Sequence, residues 1–190
     1  MNEAQPDVLP LLGIVTIVGL IPFLIVTLTA FLKISVVMLL LRNALGIQQT
    51  PPNMVLYGIA LMLTIYITSP VIAEVYARVS DPALRLRSIQ DWQAVMQSAV
   101  EPVRAYLMRF TDPAERQFLL SATSRVWPAE ASAAATPNDL VILIPSFVIS
   151  ELTRAFEIGF LLYLPFIVID LIVSAILMAV LYTGGGTDPS

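Results

Sequence analysis

The sequence predicts an all-α, multi-helix, membrane-associated protein with kinked helices and helical hairpins. Of its 190 residues, 57% are hydrophobic and only 13% are charged, and the mean hydropathy is +0.83. A soluble domain has a much more polar composition. Fifteen of the 24 charged residues lie between Glu74 and Asp139, so a long apolar stretch stands on each side of this region. Both stretches have the length and composition of helices in or against a membrane.

The charge distribution divides the chain into five segments. They are a polar N-terminus at 1–7, apolar helices at 8–73 with a polar turn at 46–53, a polar helical insert at 74–139, an apolar helical hairpin at 140–183, and a Gly-rich tail at 184–190. The first segment holds two acids and no Lys or Arg. It therefore lacks the basic region of a secretory signal peptide, and we expect the apolar stretch after it to be retained.

The positive charges predict how the chain is oriented in a membrane. Lys33 and Arg42 both precede the first polar turn, which favours the cytoplasmic side for that turn. The insert has seven arginines and eight acids, so its charges give no cytoplasmic bias. We expect the N-terminus and the insert to face the periplasm.

Composition also excludes many kinds of site. The chain has no cysteine and no histidine, which excludes disulfides, Cys/His metal sites, and thiol or imidazole catalysis. No glycine-rich loop ends in Lys-Ser or Lys-Thr, so a Walker-type nucleotide site is excluded as well. The net charge of −4 and the scattered arginines leave no basic stripe for nucleic acid. We expect no cofactor and no nucleic-acid partner.

The first apolar run is too long for one simple span. From Val8 to Leu41 a straight helix would reach about 50 Å, whereas the hydrocarbon core is about 30 Å thick. Either a break at Gly19–Pro22, where proline removes a backbone hydrogen bond, divides the helix into two arms, or much of the run is buried against protein outside the bilayer. We expect a bent helix or hairpin. Gly46 is placed to end the helix, and Asn53 is placed to cap the next one, which holds an uncharged run of residues 55–73.

Periodicity and capping residues predict the rest of the helices. An amphipathic helix follows Ser88 and is kinked at Pro102, and a second helix begins at the Asp112-Pro113 pair. The Ala-rich stretch 129–138 is typical of a loop. Pro145 and Pro165 bracket a helix of about 20 residues, and Pro165 is expected to kink or interrupt the path into the next apolar run, which predicts a hairpin or broken helix pair from Pro145 to Thr183.

Three pairs of small residues, each four apart, also favour close helix packing in the last apolar segment. They are Ser146 and Ser150, Ala155 and Gly159, and Ala175 and Ala179.

Four charges stand in this last apolar segment: Glu151, Arg154, Glu157 and Asp170. Four ionised groups facing lipid would cost on the order of 10 kcal/mol, so lipid exposure is disfavoured. Glu151, Arg154 and Glu157 follow each other at i, i+3, where opposite charges can pair. Structural pairing, pore lining, a proton relay and catalysis are the alternatives for this triplet. For Lys33 and Asp170 we expect an ion pair between helices or subunits, with snorkelling to an interface as the alternative.

Two stretches carry a family resemblance. Residues 31–53 read FLKISVVMLLLRNALGIQQTPPN, and residues 145–160 and 164–171 read PSFVISELTRAFEIGF and LPFIVIDL. They resemble the LRNALGxQQxPPN, PxFxxSELxxAFxIGF and LPFxxIDL blocks of the R subunit of the type III secretion export apparatus and its flagellar counterpart, FliP. With the leading apolar run, the resemblance covers about residues 8 to 179. The wording of the first motif and the lack of a signal peptide favour the injectisome branch.

The resemblance implies a non-enzymatic component of the bacterial inner membrane. In that family the subunits assemble as a ring, expected to be a pentamer, with S-type and T-type subunits, and exported proteins pass through the ring. The assembly stands largely above the membrane plane, so apolar helices of the family need not all face lipid.

The resemblance ends before a feature of the family. After Ala179 the family continues through a methionine-rich loop that is thought to seal the pore, whereas residues 180–190 of this chain retain none of it and only Met178 remains nearby. Truncation, a frameshift and natural divergence each account for this ending. If the ending is genuine, the seal must come from another chain.

We therefore expect an export-pore subunit, with an ion or proton transporter as the alternative and a carboxylate-dependent intramembrane hydrolase as a third, weaker reading. The candidate assembly and pore residues are Lys33, Arg42, Asn43, Gln48, Gln49, Glu151, Arg154, Glu157, Asp170 and Met178.

Overall fold

The computed structural model describes residues 8–47, 49–80 and 89–184, and within these ranges it contains seven helices and no strand. The helices are α1 (Val8–Leu28), α2 (Phe31–Ala44), α3 (Asn53–Val79), α4 (Ile89–Phe110), α5 (Pro113–Val126), α6 (Ala129–Ala134) and α7 (Leu140–Gly184). The predicted all-α fold class is confirmed.

The first apolar run bends, but not where proline predicts. The break expected at Gly19–Pro22 is wrong, because α1 continues through Pro22, and a bend of 64° separates it from α2 at residues 29–30. The Thr29 hydroxyl donates to the Ile25 carbonyl and accepts from the Phe31 amide nitrogen at 3.3 Å. The Thr29 side chain thus forms hydrogen bonds with backbone groups outside the regular helical pattern. Such hydrogen bonds favour a bend in the helix at this position.

A tight turn joins α2 and α3 into an antiparallel hairpin. Gly46 has a φ of +69°, which a glycine adopts without steric cost, and α2 ends two residues before it as predicted. The capping role expected of Asn53 is wrong. Pro52 occupies the cap position, and the Asn53 side-chain oxygen accepts a hydrogen bond from Arg42 instead.

The insert forms a helical layer beside the apolar helices. The predicted α5 start is confirmed, since Asp112 accepts a hydrogen bond from the Ala114 amide at 2.8 Å and Pro113 is the first helical residue. α4 runs through Pro102 without a break, and Ser88 lies outside the described residues. The loop expected at 129–138 is partly wrong, because alanine favours helix and residues 129–134 form α6.

The last apolar segment is one helix. The hairpin expected at 140–183 is wrong: α7 has 45 residues, and both Pro145 and Pro165 lie inside it. Each proline removes one backbone hydrogen bond, but no turn-forming residue follows either of them to reverse the chain. At 1.5 Å per residue α7 is about 67 Å long, more than twice the hydrocarbon thickness.

A short loop sets the start of α7. The Thr136 amide and hydroxyl donate to the Asp139 carboxylate at 2.7 and 2.8 Å. These hydrogen bonds lower the pKa of the Asp139 carboxyl below its ordinary value.

The core lies where α4 crosses α7. Its buried members are Tyr106 and Leu107 of α4 and Leu143 and Phe147 of α7. The insert therefore packs directly against the last apolar helix.

Small residues let α2 lie along α7. Ser146, Ser150, Ala155 and Gly159 are buried, so two of the three predicted small-residue pairs lie at helix contacts. Ala175 and Ala179 are exposed. Glu151 contacts Lys33 and Gly159 lies against Leu40, so residue numbers rise together along α2 and α7 and the two helices run parallel.

The proximal and distal parts of α7 have different surroundings. The proximal part, residues 140–159, contains every buried residue of the helix. In the distal part, residues 160–184, every residue is exposed except Phe166, which is half-buried. The distal part is about 37 Å long and projects from the rest of the chain.

The α2–α7 contact yields a stability prediction. A Cβ added at Gly159 would lie 2.2 Å from Leu40 Cδ1 and 3.2 Å from Leu40 Cβ. We expect Gly159→Val to lower the free energy of unfolding by about 1 to 3 kcal/mol through overpacking. Denaturation of the purified protein in detergent measures this change.

Gly58 provides the matched control, because a Cβ there meets nothing within 4 Å. Gly58→Val should change the free energy of unfolding by less than about 1 kcal/mol, because glycine and valine are both weak helix formers. Adding Leu40→Ala should recover part of the stability lost in Gly159→Val. Equal stability of the Gly159 and Gly58 variants would contradict the close approach of α2 and α7.

Candidate functional site

A buried carboxylate lies at the junction of α2, α4 and α7. Glu151, in the proximal part of α7, is only 1% exposed. The Lys33 ammonium nitrogen, from α2, lies 3.0 Å from its Oε1 and 2.9 Å from its Oε2. One cation thus meets both oxygens of the carboxylate, which offsets the loss of hydration on burial.

Arg154 connects this pair to the end of α4. Its Nη1 donates to the Phe110 carbonyl at 2.6 Å and lies 3.6 Å from Glu151 Oε1. One turn earlier on α7, the Ser150 hydroxyl accepts from the Asp112 amide at 2.9 Å. These two contacts fix α7 against the connection between α4 and α5.

Tyr106 forms the apolar wall beside the carboxylate. Its ring packs against Phe110 and Phe147, with centroids 4.9 and 6.0 Å apart. Burial, followed by the negative charge of Glu151, raises the pKa of Tyr106 to about 12. The phenol therefore stays neutral at physiological pH and adds no charge to the cluster.

We name Lys33, Glu151, Arg154 and Tyr106 the junction cluster. Lys33 and Arg154 point toward the surface, with side chains 23% and 39% exposed, whereas the carboxylate between them does not. The geometry is that of a structural connection between helices.

The other sequence-predicted residues near the first turn stay apart from the cluster. Arg42 donates to the Pro51 carbonyl at 3.3 Å and to the Asn53 side chain, and so braces the turn. Asn43 and Gln49 are exposed at this turn. Gln48 lies outside the described residues.

The remaining predicted residues lie on the outer surface of α7. Glu157 and Asp170 are exposed, and Met178 is 75% exposed. Among the described residues Asp170 has no ion-pair partner, whereas Lys33 forms its inter-helix pair with Glu151. Nineteen residues of continuous helix separate Glu151 from Asp170, about 28 Å, so Lys33 cannot reach Asp170 of its own chain.

The continuous helix also keeps the carboxylates of α7 apart. Glu151 and Glu157 are about 9 Å apart along the axis, and Glu157 and Asp170 about 20 Å. A pair of carboxylates that shares a proton must be in direct contact. No three acidic side chains in the described ranges converge on a metal-sized site.

Sequence reasoning missed two members of this region. Tyr106 follows the apolar periodicity of α4 and therefore reads only as a core residue. Ser150 was noted only as a small residue, although its hydroxyl receives the Asp112 amide. The Lys33–Glu151 pairing links residues 118 positions apart, and no local pattern reports such a contact.

Comparison with known proteins identifies the family. The model of the FliP family matches residues 14–182. The chain belongs to the FliP family. The resemblance of its two motif regions to that family is thereby confirmed.

Several FliP-family relatives are similar over most of the chain. It is 54% identical to the probable translocation protein y4yL of Sinorhizobium fredii, over 94% of this chain and 81% of that protein. It is 49% identical to the harpin secretion protein HrpW of Pseudomonas syringae, over 85% and 77%. It is 41% identical to the Yop proteins translocation protein R of Yersinia pestis, over 92% and 80%. These names describe secretion and translocation proteins, and none of them names an enzyme.

The helices also indicate that this FliP-family chain is a membrane protein. Within the described residues, α3 and α7 are long and apolar enough to cross a membrane. The bent pair of α1 and α2 adds a third candidate if it counts as one span. The junction cluster lies beside the proximal part of α7, whereas the most apolar stretch of α7 is uncovered.

The junction cluster yields an asymmetric prediction. Lys33→Met should cost about 3 to 5 kcal/mol of stability, because it leaves a buried carboxylate without its closest cation. Glu151→Gln should cost less, because both cations can turn toward solvent. The double variant Lys33→Met/Glu151→Leu should be more stable than Lys33→Met alone. Denaturation in detergent measures all three.

Glu74→Gln is the control for loss of a salt bridge as such. Its partner Arg78 lies 2.6 Å away, but both side chains are exposed, so the cost should stay below about 1 kcal/mol. A double variant no more stable than Lys33→Met alone would argue against a coupled buried pair.

Proposed function

We propose that this chain is a non-enzymatic core subunit of a type III secretion export apparatus in the bacterial inner membrane. With S-type and T-type subunits it forms the pore through which proteins leave the cytoplasm. Family membership supports this proposal, together with the secretion and translocation roles that the relatives' names give for those proteins.

The observation that carries assembly is the uncovered distal part of α7. Asp170 stands near its centre, about 15 Å along the axis from Phe160 and about 21 Å from Gly184. The Asp170 side chain is too short for its carboxylate to reach the membrane–water interface from there. Exposure of the ionised carboxylate to lipid would cost about 2.5 to 3.5 kcal/mol. Other subunits or water must therefore surround this part. We propose that copies of the chain form a ring, expected to be a pentamer, whose subunits cover one another's distal helices.

The predicted site residues then divide into three groups. Lys33, Glu151 and Arg154 hold the subunit together. Glu157, Asp170 and Met178 face neighbouring subunits or the pore, and Met178 alone is too little to make a methionine seal. The third group lies at the turn between α2 and α3 and comprises Arg42, Asn43 and Gln49, while Gln48, which was predicted with them, is outside the described residues.

The orientation proposed for the subunit follows the charge distribution. The turn between α2 and α3 carries Arg42 and faces the cytoplasm. The near-neutral insert lies on the periplasmic side and packs on the proximal part of α7 through Tyr106 and Leu107. The junction cluster is thus enclosed by protein rather than by lipid.

An ion or proton transporter remains the competing function, because exposed carboxylates in apolar helices can carry protons. The separation of about 20 Å between Glu157 and Asp170 opposes direct transfer between them. Proton flux in liposomes containing the purified chain alone, abolished by Glu157→Gln, would support the transporter and contradict the proposal.

Copurification tests the proposed function directly. A tagged chain, extracted in mild detergent from a strain with the whole apparatus, should yield a large complex that contains the S-type and T-type subunits. Deletion of the gene should abolish protein export, and the intact chain should restore it. A monodisperse monomer without partners, in a strain whose export persists after the deletion, would overturn the proposal.

A pair of arginine variants tests the link between the junction cluster and assembly. Arg154→Ala removes the hydrogen bond to Phe110 and one cation beside Glu151, so recovery of the assembled complex should fall severalfold. Arg116→Ala removes only a long contact of 3.5 Å to Asn138 in the insert, so recovery should stay near that of the unchanged chain. Native gels after extraction compare the two. Equal recovery of the complex from the two variants would mean that assembly does not depend on the junction cluster.

A further inference from the structure

Three polar residues of the distal part of α7 lie on one narrow face. At 3.6 residues per turn, Tyr163, Asp170 and Ser174 fall within about 40° of one another around the helix axis. We name these three residues the polar stripe. They extend over 11 residues, about 17 Å, in a segment that is otherwise almost wholly apolar.

The polar stripe continues the face by which α7 packs on α2. Gly159, which lies against Leu40, is only about 20° from the direction of Asp170. Since α2 and α7 run parallel and α2 ends at Ala44, four residues past Leu40, α2 stops at about the level of Tyr163. The face changes from small residues to polar residues at the point where α2 no longer covers it.

The polar groups of the stripe have no partner within the described chain. Most hydroxyls in the apolar helices bond back to their own backbone, as Ser146, Ser150 and Thr183 do at 2.6 to 2.9 Å. Ser174 makes no such bond to any described residue, and Asp170 forms no ion pair there. Uncompensated polar groups of this kind are costly in hydrocarbon.

The opposite face of the same segment is apolar. Ile172 lies about 160° around the helix from Ser174, and its immediate neighbours on that face are Ile169 and Ile176. Polar residues in membrane helices face the interior of an assembly or a water-filled cavity. One face of distal α7 thus suits water, and the other suits lipid or apolar side chains.

We propose that the polar stripe lines a water-filled path enclosed by several copies of distal α7, and that the Ile172 face is turned away from it. This inference rests on the proposed function and specifies which face of α7 bounds the pore. Repeated around a ring, the stripe presents carboxylates and hydroxyls, which accept hydrogen bonds from water and from the amides of an extended polypeptide.

Cysteine labelling tests the stripe, and the absence of cysteine from the chain gives it a clean background. Ser174→Cys and Ile172→Cys are made in the full chain and expressed with its partner subunits. Membranes are treated with a cationic, membrane-impermeant thiol reagent before the tagged chain is purified. Ser174→Cys should label about tenfold faster than Ile172→Cys, because the reactive thiolate forms in water.

Any other pattern of labelling would overturn the proposal. Equal rates would mean that both faces meet the same medium, and faster labelling at Ile172 would reverse the orientation. Failure of both sites to label in membranes, with labelling after denaturation, would place the stripe in a dry contact between subunits.

Copurification of the S-type and T-type subunits from the same samples separates this inference from the proposed function. Partners present with equal labelling rates would defeat the stripe alone. Partners absent with faster labelling at Ser174 would defeat the export complex while leaving the polarity of distal α7 intact.

Discussion

Burial of the Glu151 carboxylate sets the arrangement of the helices around it. Removing an ion from water costs several kcal/mol, and the cost is offset only by close, well-placed partners. Lys33 supplies that partner at 2.9 Å, because α2 lies in close contact with α7. Gly159 permits this approach, because a Cβ added there would meet Leu40 of α2. The ion pair and the Gly159 contact therefore depend on the same register.

The insert supplies contacts around Glu151 that the apolar helices do not supply. Phe110, at the end of α4, gives its carbonyl to Arg154, and Tyr106 closes the apolar side of Glu151. Asp112 serves twice, since its side chain caps α5 and its amide binds Ser150 of α7. A segment that is polar by composition thus forms one wall of the apolar core. Composition separates the insert from the apolar helices, but packing joins them.

The sequence predicted the features that depend on local chemistry. Gly46 marks the end of α2 because a left-handed residue is needed there, and Asp112-Pro113 marks the start of α5 because both residues suit a helix N-terminus. The family motifs and the composition likewise predicted the family and the membrane-associated, all-α class.

Proline misled the predictions because the environment decides its effect. Pro22 and Pro165 stand inside continuous helices, whereas the real bend falls at Thr29, whose hydroxyl takes backbone partners. The partner of Lys33 was not predictable either, since Glu151 lies 118 residues away in the chain. Contacts of that separation depend on the helix register, which periodicity alone does not give.

The charged triplet of α7 shows how one spacing leads to two environments. Three residues advance a helix by about 300°, so the direction of the side chain drifts by about 60° at each i, i+3 step. Glu151 points into the core, Arg154 lies at its edge, and Glu157 has turned about 120° to the exposed side. Lys33 already donates a hydrogen bond to Glu151, and Arg154 already donates one to the Phe110 carbonyl.

The charged residues of α7 therefore fall into two groups: the buried charge has partners within the subunit, and two exposed charges do not. Glu151 is paired with Lys33 and Arg154, whereas the exposed Glu157 and Asp170 have no ion-pair partner among the described residues. Asp170 stands about 17 Å along the helix beyond Gly159, the last residue of α7 that the other helices bury. In the proposed assembly, neighbouring subunits or water would surround these carboxylates, which is why the proposal places them away from lipid.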